Sequence, residues 1–209
     1  MTNSEYKKLN NSLTSFELIK QKSEQYWEQI DLEVSYGFQI QQNSKWKKGL
    51  TDEQLIDFQK QLGIQFPESL KSYYKTMNGL DKPGLDNNGG KGEIEFGPTF
   101  YSYPDDIEEI RSNINWILEA NTVTKEVIIE QNVPLLFPYL GHRFLVLNKE
   151  QHVLSMHSRD IIYWAYNLSK GIARDIFPFF TKGNLKELDG NSFWNKKALL
   201  LEQLNSKSF

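Results

Sequence analysis

The stretch from Leu50 to Pro67 constrains the fold most, because it carries helix-start and helix-stop signals at close spacing. Thr51 and Gln54 fit a capping box, in which each side chain accepts a hydrogen bond from a free backbone N–H of the first turn. Gly63 fits the left-handed residue that ends many helices. Pro67 suits the first turn of a second helix, where the missing N–H is not needed. The stretch therefore predicts two short helices joined by a tight connection.

Apolar spacing predicts which sides of these two helices are buried. In the first helix we expect the inner face to be formed by Leu55, Ile56, Phe58 and Leu62. In the second, apolar residues recur at i, i+3, i+4 and i+7 from Leu70 to Met77, which is typical of an amphipathic helix. The pair Asn78-Gly79 is a common helix terminator and predicts the end of the second helix.

The residues before this helix pair predict one more helix and one strand. A helix is expected over about residues 15–30. From Leu32 to Ile40 apolar and polar residues alternate, which indicates a strand with one buried face. Because such a strand needs a partner, we predict that residues 1–45 pack on a main domain that spans residues 46–209.

The second half of the chain predicts a helix followed by a strand meander. Helical spacing runs from Ile107 to Leu118. Four β-type segments then follow, separated by turn residues, at 133–137, 143–147, 153–156 and 161–164. Two more helices are expected near 167–177 and 193–204. This order favours an α+β fold with a mostly antiparallel twisted sheet flanked by helices.

Composition excludes several kinds of protein. The chain has no cysteine, so disulfides, thiolate metal sites and cysteine nucleophiles are excluded. Its first 20 residues are polar and do not resemble a signal peptide. No apolar run is long enough to cross a bilayer. We therefore expect a cytoplasmic protein with no membrane partner.

Charge is unevenly distributed along the chain. Eight acidic and two basic residues lie between residues 81 and 110, although the whole chain carries a net charge of only −3. One interpretation is a solvated loop followed by an acidic helix N-terminus. The other is an acidic face that attracts a basic partner. A net negative charge argues against nucleic acid as the main partner.

Motifs that would support catalysis or cofactor binding are missing from the sequence. The three histidines, His142, His152 and His157, lack metal-ligand spacing. No G-x-S-x-G nucleophile elbow occurs. The segment Gly89-Gly90-Lys91-Gly92 does not have the spacing of a phosphate-binding loop. We therefore predict no catalytic residues, no metal and no cofactor.

The ordered set of these features resembles the SUKH superfamily. The resemblance rests on Gly49-Leu50-Thr51, Leu62-Gly63-Ile64, Phe66-Pro67, Met77-Asn78-Gly79 and Pro138-Tyr139-Leu140-Gly141, and it extends from about Trp46 to Phe177. One position departs from the pattern, because Gln59 stands where many relatives carry glutamate. The resemblance implies a non-catalytic α+β domain. Many bacterial members are immunity proteins, and a fungal branch regulates cell-wall synthesis.

The resemblance predicts an immunity protein that neutralises a cognate toxin, with a nuclease as the expected toxin. The alternative is a regulatory or scaffold protein in cell-wall synthesis or signalling. For the first function, the acidic segment supplies the expected partner-binding residues: Asp86, Glu93, Glu95, Asp105, Asp106, Glu108 and Glu109.

Overall fold

The computed structural model describes residues 1–29, 39–86, 95–177, 180, 188 and 192–205, without the side chains of Asp86 and of residues 202–205. The chain divides into two compact units, Met1–Ile107 and Glu108–Phe209. Most of the strand predicted over 32–40 lies outside the described residues. The predicted packing of residues 1–45 as a separate segment on a main domain stays a prediction.

In its described residues, the first unit combines four helices with two short antiparallel sheets. Along the chain these elements are α1 Asn3–Lys7, α2 Leu13–Gln29, β1 Trp46–Lys48, α3 Asp52–Leu62, α4 Glu68–Thr76, β2 Met77–Leu80, β3 Gly84–Asp86 and β4 Glu95–Gly97. Strand β1 pairs with β2, and β3 pairs with β4. Helix α2 packs on α4 within this unit.

Helix α3 begins and ends where the sequence predicts. The Thr51 hydroxyl accepts a hydrogen bond from Gln54 N at 3.3 Å, and Gln54 Oε1 accepts one from Thr51 N at 2.9 Å. Gly63 closes the helix with φ of 69°, in the left-handed region that suits glycine. The predicted inner face was wrong at Ile56, whose side chain is 65% exposed. Ile56 adjoins Leu55 in sequence and therefore points about 100° away from it.

Gln59 has a structural role in the connection between α3 and α4. Its amide nitrogen donates to Leu55 O at 3.1 Å, and its amide oxygen accepts from Phe66 N at 2.8 Å. The side chain thereby ties the backbone before α4 to the last turns of α3. This contact needs an acceptor oxygen and no negative charge, so glutamine satisfies it.

Helix α4 ends close to the predicted position, but the residues that follow it form a strand. The helix stops at Thr76, and Met77, Asn78 and Gly79 belong to strand β2. Gly79 has φ of 73°, and a Cβ atom there would lie 2.6 Å from the Cβ of Ser102. The glycine is therefore required by close backbone packing inside a strand, not by a helix terminus.

Aromatic rings fill the core of the first unit. Trp46 lies against Trp27 and Phe100, with ring centroids 5.6 Å and 4.8 Å away, and its indole N–H donates to Ser23 Oγ at 2.8 Å. Phe58 packs edge-on against Tyr74 at 5.2 Å. Tilted and edge-on contacts are the arrangements that aromatic quadrupoles favour. The core thus joins residues from α2, β1, α3 and α4.

The second unit is built on a four-stranded antiparallel meander. It contains most of α5 Ile107–Ala120, followed by α6 Lys125–Glu130, β5 Leu135–Leu140, β6 Arg143–Leu147, β7 Val153–His157, β8 Asp160–Ala165, α7 Leu168–Ile176 and α8 Phe193–Asn205. The strand order is β5-β6-β7-β8. These bounds confirm the four predicted strands to within three residues. Helix α6 was not predicted, because six residues give too short a periodic signal.

The sheet carries the apolar core of the second unit. Leu136, Phe144, Leu154 and Ile161 come one from each strand and are almost fully buried, and Trp194 of α8 belongs to the same cluster. The predicted α+β class with antiparallel sheets is confirmed. No helix in the described ranges has the length and apolar character needed to cross a membrane.

Candidate partner-binding surface

The predicted partner-binding acids are distributed over both units. Glu95, Asp105 and Asp106 belong to the first unit, and Glu108 and Glu109 to the second. Glu93 and the side chain of Asp86 lie outside the description. Glu95 is exposed on β4. Each of the other described acids has a definite local environment.

Asp105 is an exposed carboxylate with one basic partner. Its Oδ2 lies 2.9 Å from Lys47 Nζ, and 61% of the Asp105 side chain remains exposed. The hydrogen bond from Lys47, together with its positive charge, lowers the pKa of Asp105. An exposed pair of this kind contributes little to stability. Asp105 therefore remains ionised and reachable by a partner at neutral pH.

Asp106 is used by the fold itself. Its Oδ2 accepts hydrogen bonds from Ser102 N at 2.7 Å and from Ser102 Oγ at 2.8 Å. These two bonds fix the turn that leads into α5, and they leave the side chain half-buried. Replacing Asp106 would therefore disturb the backbone before it changed any interface.

Glu108 and Glu109 project from the first turn of α5. The Glu108 side chain is 84% exposed and pairs with Arg111 one turn along the helix. Glu109 Oε1 accepts a hydrogen bond from Asn113 Nδ2 at 3.0 Å. Carboxylates at this end of a helix also suit the positive end of its dipole. Both acids are held on a regular helix and face solvent.

A buried charged group that the sequence did not reveal lies in the second unit. Asp175 of α7 is only 5% exposed, and it accepts hydrogen bonds from Arg143 Nε at 2.9 Å and from Tyr139 OH at 2.7 Å. Arg143 also donates to Ser155 Oγ at 2.7 Å. The ion pair joins β6 to α7, and the hydrogen bonds of Tyr139 and Ser155 add β5 and β7 to the same network. Nothing in the sequence spacing indicates this pair, because its members lie 32 residues apart.

Trp164 completes this group, which we call the Arg143 cluster (Tyr139, Arg143, Ser155, Trp164, Arg174 and Asp175). The guanidinium carbons of Arg143 and Arg174 lie 3.5 Å and 3.4 Å from the centroid of the Trp164 ring. At such distances two groups cannot share one face of the ring, so they lie on opposite faces. Cation–π contacts of this kind strengthen when the ring is shielded from water. The cluster stabilises the scaffold.

The Arg143 cluster makes stability depend on pH. Burial raises the pKa of the Asp175 carboxyl from 3.8 to about 6, against the opposing effects of Arg143 and Tyr139. Because the folded-state pKa is raised, the contribution of Asp175 to the free energy of unfolding is fully present below pH 4. As the pH rises from 4 to 6, this contribution to the free energy of unfolding falls by about 3 kcal/mol.

Urea unfolding of the wild-type chain and of Asp175→Asn between pH 4 and pH 8 measures this loss. Asparagine does not titrate, so we expect the stability of the wild type relative to the variant to fall between pH 4 and pH 6. The same comparison for Asp160→Asn, an exposed acid at the start of β8, controls for general charge effects. A constant difference between the wild type and Asp175→Asn across this range would contradict the assignment.

The three histidines occupy different environments. Burial, with smaller effects from Arg143 and His157, lowers the pKa of His142 to about 4, so this residue is neutral at pH 7. His152 is buried and lies against Tyr163 and Tyr166. His157 is exposed at the end of β7. In the part of the chain that the structure describes, no group of three or more metal-ligating side chains comes together.

Comparison with known protein families agrees with this architecture. The model of the SMI1 / KNR4 family (SUKH-1) matches residues 49–186, which is more than half of the chain. The chain belongs to the SUKH-1 family. The match begins just before α3 and continues beyond α7, so it includes the α3–α4 pair and the meander. No curated protein sequence matches the chain.

Family membership confirms the resemblance seen in the sequence, and it accounts for the scaffold residues. Gly63, Pro67 and Gly79 lie at the C-cap of α3, at the N-cap of α4 and inside β2. SUKH proteins are known for non-catalytic immunity and regulatory roles. Membership of the family does not identify a binding partner, because partner choice depends on the exposed residues and not on the fold.

Proposed function

We propose that this SUKH-1 protein is an immunity protein of a bacterial polymorphic or contact-dependent toxin system. It binds a cognate nuclease toxin in the cytoplasm and blocks the toxin without catalysing a reaction. The family supports this proposal because many bacterial SUKH proteins have that role. The observation that carries the proposal is a set of exposed carboxylates, Asp105, Glu108 and Glu109, which lie before and in the first turn of α5.

The chemistry of a nuclease explains why such carboxylates matter. A protein that cleaves nucleic acid needs a basic surface to hold the phosphate backbone. Carboxylates at exposed positions compete with phosphates for that surface. They also accelerate diffusional encounter between the two proteins, most strongly at low salt.

Removing these charges is expected to slow toxin capture. We predict that the combined substitution Glu95→Gln, Asp105→Asn, Glu108→Gln and Glu109→Gln lowers the association rate constant by about tenfold at low ionic strength. Asp106 is left unchanged because it holds Ser102. The measurement is stopped-flow binding of the toxin domain at several salt concentrations.

A matched variant separates a local effect from the loss of total charge. Glu17, Glu53, Glu126 and Glu130 are also exposed acids, and they lie on α2, α3 and α6. Their combined change to glutamine removes four charges from other surfaces. Equal association rates for the two quadruple variants would contradict the contribution of the predicted acids, while leaving the immunity function itself standing.

Co-expression tests the function directly. The gene is expressed together with the C-terminal domain of the nearest large secreted protein encoded beside it, and cell survival and complex formation are scored. Survival with a stable complex supports immunity. If no neighbouring domain is toxic, the regulatory or scaffold role in cell-wall synthesis or signalling becomes the better proposal. The SMI1 / KNR4 family belongs to the superfamily whose fungal branch has such a role.

A further inference from the structure

The solvent side of α5 carries one tryptophan among polar and acidic residues. Its exposed residues are Glu108, Glu109, Ser112, Asn115, Trp116 and Glu119. At 3.6 residues per turn these six positions fall within an arc of about 120°. We call this arc the α5 outer face. Its charged members are all glutamates, and Arg111 at its margin pairs with Glu108.

Trp116 is the feature of this face that the fold does not explain. The opposite side of α5 buries Ile110 and Ile117 completely, whereas the Trp116 side chain stays 38% exposed. Its ring makes an edge-on contact with that of His157, at 5.1 Å between centroids and 80° between planes. His157 is itself exposed, so this contact does not remove the pair from water. Tryptophan is among the residues most enriched at the energetic centres of protein interfaces.

We propose that the α5 outer face binds a basic protein surface, with an arginine or lysine of the partner stacked on Trp116 between the glutamates. The inference rests on the proposed function, since the basic partner would be the toxin. Charge complementarity selects this occupant. A guanidinium over an indole is attracted by the negative face of the ring, and carboxylates on the flanking turns add to that attraction.

The same charges argue against the other occupants of such a face. Nucleic acid would bring phosphates against three glutamates without a compensating basic stripe. A second copy of the chain would place like-charged faces together, which costs binding energy. A purely apolar partner would desolvate Glu109 and Glu119 without supplying a counter-charge. A cationic protein surface satisfies the ring and the carboxylates together.

A peptide titration tests the face without knowledge of the toxin. The probe is nona-arginine, added to the full-length chain labelled with 15N, and the readout is the indole N–H resonance of Trp116, assigned with Trp116→Phe. We expect a saturable shift of that resonance and a dissociation constant that increases with salt. The triple variant Glu108→Gln, Glu109→Gln and Glu119→Gln should bind about tenfold more weakly. The control Glu126→Gln, Glu130→Gln and Glu150→Gln should bind like the wild type.

The glutamine variants leave the apolar contacts of α5 in place, so they keep the test valid if a Trp116 variant fails to fold. Circular dichroism melts verify that both triple variants retain the wild-type fold. An unshifted Trp116 resonance, or equal binding by the two triple variants, would overturn the inference.

Toxin binding separates this inference from the proposed function. In one outcome the wild-type chain protects cells, and the triple variant and Trp116→Ala, both shown to be folded, bind the toxin as tightly as the wild type. The α5 outer face is then not the interface, and the immunity function stands. If the wild-type chain protects against no neighbouring toxin, the immunity function fails, and the peptide titration still decides whether the α5 face selects cationic partners.

Discussion

Replacing Arg143 with methionine is expected to lower the free energy of unfolding by about 4 kcal/mol at pH 8, because removing one partner leaves a buried carboxylate without its counter-charge. Arg143 is the basic partner in contact with Asp175, and the same guanidinium stacks on Trp164. Methionine keeps much of the side-chain volume, so the loss reports charge and hydrogen bonding more than packing. Urea unfolding followed by Trp fluorescence measures it.

The size of this effect should depend on pH. Below pH 6 the Asp175 carboxyl takes up a proton, and a neutral carboxyl needs no counter-charge. We therefore expect the cost of Arg143→Met to fall to about 2 kcal/mol at pH 5, where lost hydrogen bonds and stacking remain. Arg111→Met is the control, because Arg111 pairs with the exposed Glu108 and should cost less than about 1 kcal/mol. A pH-independent cost at Arg143 would contradict the role assigned to the pair.

Replacing Asn78 with alanine is expected to cost about 3 kcal/mol. Asn78 Nδ2 donates to Tyr103 O at 2.7 Å, and Tyr103 N donates to Asn78 Oδ1 at 2.8 Å, so one amide satisfies both backbone groups of Tyr103. Asn78 and Tyr103 are both buried. Alanine leaves a donor and an acceptor unsatisfied in the interior, at about 1–3 kcal/mol each.

Two further variants make the Asn78 prediction specific. Asn78→Asp keeps the shape and one acceptor but removes the amide donor, and it should destabilise the fold more at pH 8 than at pH 4. Asn115→Ala changes an exposed asparagine of α5, and it should leave stability within about 0.5 kcal/mol or raise it slightly, since alanine favours helix. Thermal unfolding compares all three variants, and a loss at Asn78→Ala no larger than at Asn115→Ala would rule out the bidentate contact.

The α3–α4 connection shows how far local sequence can predict structure. The capping box at Thr51, the left-handed cap at Gly63 and the start of a helix at Pro67 all concern bonds within a few residues of each other. Such signals depend little on the rest of the chain. The four strands of the meander were predictable for a related reason, because turn residues and apolar runs mark them locally.

Asn78-Gly79 shows where local sequence fails. As a dipeptide it favours a helix end, and α4 does end close by, at Thr76. The strand that includes both residues was not predicted, because their partners lie far along the chain. The backbone oxygen of Tyr103 accepts a hydrogen bond from the Asn78 amide, and Ser102 leaves no room for a Cβ atom at Gly79. The tertiary contact decides the conformation, and the local preference is only a weak prior.

The α+β class, the capped helix pair, the meander and the family follow from local sequence, because each depends on periodicity or on neighbouring residues. Which charges are used by the fold and which stay exposed follows from three-dimensional packing. It buries Asp175 against Arg143, ties Asp106 to Ser102 and leaves Trp116 in solvent among glutamates. Burial depends on residues brought together from distant parts of the chain, and no local pattern specifies it.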